Sequence, residues 1–422
     1  MQPGRSICLI SRQRVVGRTN GSSVYLLSIV AFLKAKGYRV HYLSPSPATF
    51  GRWPAIWLQP EMGVFDSIRI RGSVRLGRLL VALDPTVAWR AAIALLDRGL
   101  RHLRPDGRPI GRPAPYAIAV PLSSRDKAFI ARYAPPLADV VLLDYAFLTE
   151  AIAHVGRPDA PSIVIMHDLF SARAHQFQAL GQVDSVAILD HAQEMRLLNM
   201  ADLVVAIQDD EASAVRAHLP GRFVAVAPMA VEPATEPHPG DGDLVLFVGS
   251  KTAPNVDGLA WFIERVWPEI RGARPSARLL VAGSVAQSYA VASPGVTYLG
   301  QVSRLDDLYR RAGIVISPLR LGSGLKVKLI EALSWGKAIV ATTPTAQGVV
   351  ELVKDCIALA DDPGIFAQAV LGLMADEARR RDMAGKALAV AAAHFSAEAC
   401  YRPITDFIAV SDRPGASGLV RN

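Results

Sequence analysis

Gly322, Ser323 and Gly324 run directly into a stretch that carries Lys326, Lys328 and Glu331. The apolar run at 312–317 reads as a strand before this turn, and 327–335 reads as a helix after it. Backbone N–H groups at a helix start favour anions. Glycines let that backbone come close to a ligand. Lysines add point charges suited to a diphosphate. Glu331, further along the helix, can accept hydrogen bonds from sugar hydroxyls. Diphosphate and ribose are parts of a nucleotide, so this stretch is expected to bind a nucleoside diphosphate group. Lys326 and Lys328 are two apart and cannot share one helix face, so one of them can equally be a solvated charge.

Further polar residues follow strand-like runs in the first half. His167 and Asp168 follow the run at 162–166, and Gly17, Asn20 and Gly21 lie in the loop after the first strand. That loop is neither Gly-x-Gly-x-x-Gly nor a Walker loop, which argues against a dinucleotide reading and favours a permissive turn or a phosphate and acceptor loop. Asp168 can orient His167, cap the next helix or contact an acceptor.

The elements that must position these residues alternate. Strands are expected at 7–11, 39–43, 140–143, 162–166, 203–207 and 223–226, with a helix over 24–36 stopped by Gly37. Continuous apolar runs of this kind mark buried parallel strands. A second series reads as strands at 244–248, 278–282, 296–299, 314–317, 338–341 and 357–359, with helices at 256–266, 306–311 and 327–335. The fold class is α/β, with two Rossmann-like doubly wound domains facing a central cleft. The expected division is 1–232, a Pro-rich linker at 233–242, a second domain at 243–395, a helix at 396–411 returning to the first domain, and a flexible tail at 412–422.

The chain has 422 residues, 51% hydrophobic and 20% charged, which suits two folded domains and excludes a disordered protein. Its three cysteines are far apart, arguing against a disulfide scaffold or zinc site and for a cytoplasmic protein. Residues 1–30 lack a signal-peptide pattern. The net charge is +8, with arginines concentrated over 69–112 among leucines and isoleucines. Such a basic amphipathic surface suits the inner face of an anionic membrane, or is simply an exposed arginine-rich helix face. No nucleic-acid-binding module is present. Trp53 and Trp57 are expected in the core, with contact to an acceptor as the alternative.

The second half resembles family 4 glycosyltransferases with the GT-B fold. The resemblance rests on Phe247-Val248-Gly249-Ser250 with Pro254-Asn255-Val256-Asp257, on Leu280-Val281-Ala282-Gly283, and on Ser317-Pro318-Leu319-Arg320. It continues through Gly322-Ser323-Gly324 to Glu331-Ala332-Leu333 and Gly336-Lys337-Ala338. In the first half it is looser, and it omits roughly 45–137. Ser323 stands where many members carry the first of two glutamates, so the chain resembles the Gly-Ser-Gly subgroup. The resemblance implies a retaining, metal-independent enzyme with no cofactor. It would move a sugar from a UDP- or GDP-sugar to a glycan, lipid-linked or small-molecule acceptor. It implies donor contacts from Gly322, Ser323, Gly324, Lys326, Lys328, Glu331, Ser250 and Lys251. It implies catalytic roles for His167, Lys328 and Glu331, and acceptor or phosphate contacts from Gly17, Asn20, Gly21 and Asp168. A nucleotide-sugar epimerase of the same fold and a non-catalytic sugar-nucleotide-binding relative are the alternatives.

Overall fold

The computed structural model describes residues 4–17, 21–51, 53–100, 117–172, 189–302, 304–321 and 325–411. The chain divides into two compact units: Met1–Ala227 with Tyr401–Asn422, and Pro228–Cys400.

In the first unit, segments of four to six residues form β1 (Ser6–Ile10), β2 (Arg39–Ser44), β4 (Ser67–Ile70), β7 (Val140–Asp144), β8 (Ser162–Ile165), β9 (Leu203–Ala206) and β10 (Phe223–Val226). They pair in parallel in the order β10-β9-β8-β7-β1-β2-β4. Every residue of β1, β7, β8 and β9 is buried, as strands covered on both faces require. Between β2 and β7 the chain adds β3 (Ala55–Trp57), β5 (Ser73–Leu76) and β6 (Leu79–Ala82), an antiparallel sheet in the order β3-β6-β5. The helix Pro85–Leu100 follows. This insertion corrects one expectation. Trp53 and Trp57 are not core residues but 49% and 61% exposed. Strand alternation is the reason for Trp57: Ile56 takes the inward position and Trp57 the outward one.

In the second unit β11 (Asp241–Val248), β12 (Arg278–Ala282), β13 (Val296–Gly300), β14 (Ala312–Ser317), β15 (Ala338–Ala341) and β16 (Ile357–Leu359) form a parallel sheet ordered β13-β12-β11-β14-β15-β16. Alternate residues of β11 enter two different cores: Leu244, Leu246 and Val248 pack on one side, Val245 and Phe247 on the other. The segment expected to be a linker belongs to this unit. Val231 N–H bonds Phe395 O at 2.8 Å and Ala234 N–H bonds Ser334 O at 2.8 Å, while Asp241 and Gly242 already lie in β11. Gly240 makes that early start feasible. Its φ is +59°, and a Cβ there would sit 2.2 Å from Ala312 O.

The helix Ala397–Ser411 carries the chain back to the first unit. Tyr401 Oη donates to Ser28 Oγ at 3.0 Å, and its ring meets Phe32 edge-on at 5.7 Å between centroids. No described helix is long and apolar enough to cross a membrane. The tail at 412–422 and the arginines at 101–112 lie outside the described residues.

Candidate functional site

In doubly wound sheets, ligands bind beyond the carboxyl ends of the strands, where the strand order reverses. The reversal falls between β1 and β7 in the first unit and between β11 and β14 in the second.

At the first reversal a buried polar network spans the gap. Asp144 ends β7 and is completely buried. Its Oδ2 accepts from Ser11 Oγ at 2.5 Å and from Gln13 Nε2 at 3.2 Å, both residues following β1. Its Oδ1 lies 2.6 Å from His167 Nε2. A carboxylate only accepts, so this contact places a proton on Nε2 and turns Nδ1 away from Asp144. The Tyr145 ring stacks on the His167 ring at 4.0 Å and 20°, and Tyr25 meets it edge-on at 5.5 Å. Tyr145 is tied in turn to Ser22, its Oη donating to Ser22 Oγ at 3.1 Å.

The backbone here is strained. Tyr145 (φ 76°) and His167 (φ 62°) are the only non-glycine residues with positive φ among the described ones. Asp168 N–H bonds Met166 O at 2.9 Å, which makes His167 the centre of a γ-turn. Tyr145 at φ 76°, ψ 148° sits near a region reserved almost entirely for glycine. Such conformations cost about 1–3 kcal/mol each and persist at sites where the surrounding contacts over-determine them. Both strained residues carry one stacked pair of rings, on the carboxylate that bridges the sheet reversal.

One expectation changes here. The carboxylate paired with His167 is Asp144, not the adjacent Asp168. Asp168 instead acts electrostatically on Glu211: burial and then the Asp168 charge push the Glu211 carboxyl up to about 7. Gly17 has a packing reason of its own, because at φ +148° a Cβ would lie 2.4 Å from Gln59 Cβ. Gly21 opens the helix Gly21–Ala35. Asn20 lies outside the described residues.

At the second reversal, the loop after β11 holds Ser250 and Lys251, and the loop after β14 leads to the helix Val327–Ser334. Ser250 Oγ accepts from Asn255 Nδ2 at 3.1 Å, and Lys251 N–H bonds Ser284 Oγ at 3.0 Å. The helix has Lys326 at its N-cap, a side chain that cannot accept from the first-turn N–H groups. That end keeps its affinity for an anion. Burial lowers the pKa of the Lys326 ammonium, so a negative ligand would meet a cation with reduced competing hydration. Lys328 and Glu331 lie on the outward side, Nζ to Oε2 2.5 Å apart, while Leu329, Ile330, Ala332 and Leu333 face the core. Beside them Arg320 forks onto Asp257 at 2.6 and 3.0 Å. Gly322, Ser323 and Gly324 lie outside the described residues.

The expected site residues that are described thus fall into two groups, one per unit, each at its own sheet reversal. Ser11, Gln13, Asp144 and Tyr145 were missed. One signal was available: Asp144 is an acid closing the wholly apolar run 140–143, where a buried strand offers no solvent for a charge.

Comparison with known proteins agrees with this architecture. Residues 242–376 match the family described as glycosyl transferases group 1. A Klebsiella pneumoniae protein described as an uncharacterized 44.6 kDa protein in a cps region is 26% identical over 139 residues, 30% of this chain and 36% of its own length. The match therefore spans about a third of that relative. Among solved structures, sucrose-phosphate synthase from Thermosynechococcus elongatus superposes with a TM-score of 0.59 at 16% identity, covering 96% of this chain and 98% of the other. Anabaena HepE in complex with UDP superposes with a TM-score of 0.59 at 14% identity, covering 96% and 99%. The fold is the GT-B fold of glycosyltransferases, and the glycosyl transferases group 1 pattern falls on the second unit.

Proposed function

We propose that the protein transfers a glycosyl group from a nucleoside-diphosphate sugar, a UDP-sugar first among them, to a hydroxyl acceptor, with retention and without a metal ion. The observation that carries this reading is the second sheet reversal. An uncapped helix start with Lys326, Lys328 and Glu331 follows one strand of that reversal, and Ser250 and Lys251 follow the other, inside the matched segment 242–376. HepE, a structural neighbour, is described in complex with UDP. In this chain the helix-start N–H groups and Lys328 would meet the diphosphate, whose charge grows as the sugar leaves. Glu331 would accept ribose hydroxyls, and Gly322-Ser323-Gly324 would bring the backbone onto the phosphates. His167, held through Nε2 by Asp144, would offer Nδ1 to the reacting sugar or the acceptor hydroxyl. A glycan or lipid-linked sugar is the proposed acceptor class.

Thermal unfolding with UDP, GDP and ADP tests the donor site. A nucleotide at about a hundred times its dissociation constant should add roughly 2.7 kcal/mol. UDP should raise the midpoint of the wild type, and Glu331→Ala and Lys328→Ala should weaken that shift. A midpoint that no nucleotide moves would contradict the proposal.

A further inference from the structure

The insertion after β2 presents a surface that neither candidate site uses. In the β3-β6-β5 sheet Trp57 and Leu76 both pair with Leu79, and Ala55 and Val74 both pair with Val81. Directly paired residues share a face. One face therefore carries Ala55, Trp57, Val74, Leu76, Leu79 and Val81, all apolar. Ile56 and Leu80 point the other way and are buried. The apolar face is open to solvent: Leu76 is 62% exposed, and Val74 is exposed too.

The helix Pro85–Leu100 repeats the inversion. It buries Val87 and Ala91. Stepping 100° per residue, Trp89, Ala92, Ile93 and Leu96 fall on the opposite side. There Trp89 is 69% exposed and Leu96 is exposed as well. An ordinary surface helix would carry polar residues on that side.

Charge identifies the occupant. Arg78, on the turn into β6, and Arg90, flanking Trp89 on the helix, border these apolar surfaces and are exposed, and neither pairs with a carboxylate among the described residues. Arg78 stands over the Trp57 ring at 5.8 Å. A second copy of this chain would bring the same unpaired arginines against each other, which like-charge repulsion opposes. A lipid surface with anionic headgroups satisfies every part. Arginine stems lie along apolar surface while their heads reach phosphate. Tryptophan rings prefer the headgroup level, and leucines enter the acyl boundary.

We propose that these two apolar surfaces, Trp57 and Leu76 on the sheet and Trp89 and Leu96 on the helix, with Arg78 and Arg90 beside them, dock the protein onto an anionic lipid bilayer. This inference is independent of the donor-site reading. The test is co-sedimentation of the full chain with phosphatidylcholine vesicles, with and without phosphatidylglycerol. Binding should require phosphatidylglycerol and weaken with salt. Each arginine near such a surface is worth about fivefold in affinity, so Arg78→Gln and Arg90→Gln together should weaken binding by roughly thirtyfold. Trp57→Ser, Leu76→Ser and Trp89→Ser together should abolish it. All these side chains are exposed, so the unfolding midpoint should stay at the wild-type value, which separates lost docking from lost folding. Absence of binding to phosphatidylglycerol vesicles, or binding that survives the serine substitutions, would overturn the proposal. So would a dimer in sedimentation equilibrium that those substitutions dissociate.

Discussion

Asp144 is the residue whose replacement most sharply probes the first unit. It is buried without residual exposure and accepts three hydrogen bonds, from Ser11 Oγ, Gln13 Nε2 and His167 Nε2. Asp144→Leu is of similar volume but removes every acceptor. A buried donor left without a partner costs about 1–3 kcal/mol. The Ser11 hydroxyl can rotate elsewhere, which leaves two such donors and an expected loss of about 2–6 kcal/mol. Asp144→Asn keeps one acceptor oxygen for His167. Its amide can also face Gln13, whose Oε1 is buried without a partner and becomes the acceptor if that side chain flips. Only charge assistance is then lost, about 1–3 kcal/mol in all. Urea unfolding of the wild type and both variants measures the difference. A double-mutant cycle with His167→Ala isolates the central contact. The strain at position 167 occurs in both the single and the double variant and cancels, so the cycle reports the side-chain pair. Non-additivity of about 1–2 kcal/mol is expected for two groups bonded in a buried network. If the Leu variant is as stable as the Asn variant, or the cycle is additive to within about 0.5 kcal/mol, the network does not hold His167 and the reasoning fails.

Glu211 adds a pH dependence. Its carboxyl is raised from 4.5 to about 7, so between these values the folded state holds a proton that the unfolded state has released. Stability from this group is complete below about 4.5 and is lost as pH rises through about 7. A shift of this size amounts to at most about 3 kcal/mol. Glu211→Gln should raise the unfolding midpoint at pH 8, leave it nearly unchanged at pH 4.5, and flatten the profile between. Cys8, Cys356 and Cys400 are buried, and burial holds their thiols up near 12, 11 and 12 respectively. A thiol reagent at pH 8 should label none of them in the folded protein and all three in urea.

The parallel sheets were legible because strands buried on both faces must be apolar throughout, as in 140–143 and 203–206. The candidate residues at the second sheet reversal were legible for another reason. Lys326, Lys328 and Glu331 are close in sequence, so one local element places them together. The first-unit network was illegible on the opposite count. Ser11 and Asp144 are 133 residues apart, and only the strand order β8-β7-β1 makes them neighbours. Trp57 misled for a physical reason too. Large aromatic residues are usually buried, and a three-residue strand is too short to show which side of it faces the core.

The return of the chain at Tyr401 sets an order of assembly during synthesis. The second unit is continuous from Pro228 to Cys400 and can close with no segment from elsewhere in the chain. The first unit cannot. Its early helix, Gly21–Ala35, holds Phe32 and Ser28 ready for a tyrosine made some 370 residues later. Until that tyrosine arrives, the nascent first unit has an incomplete flank. A chain stopped at residue 400 would present the same flank permanently, to chaperones and proteases alike.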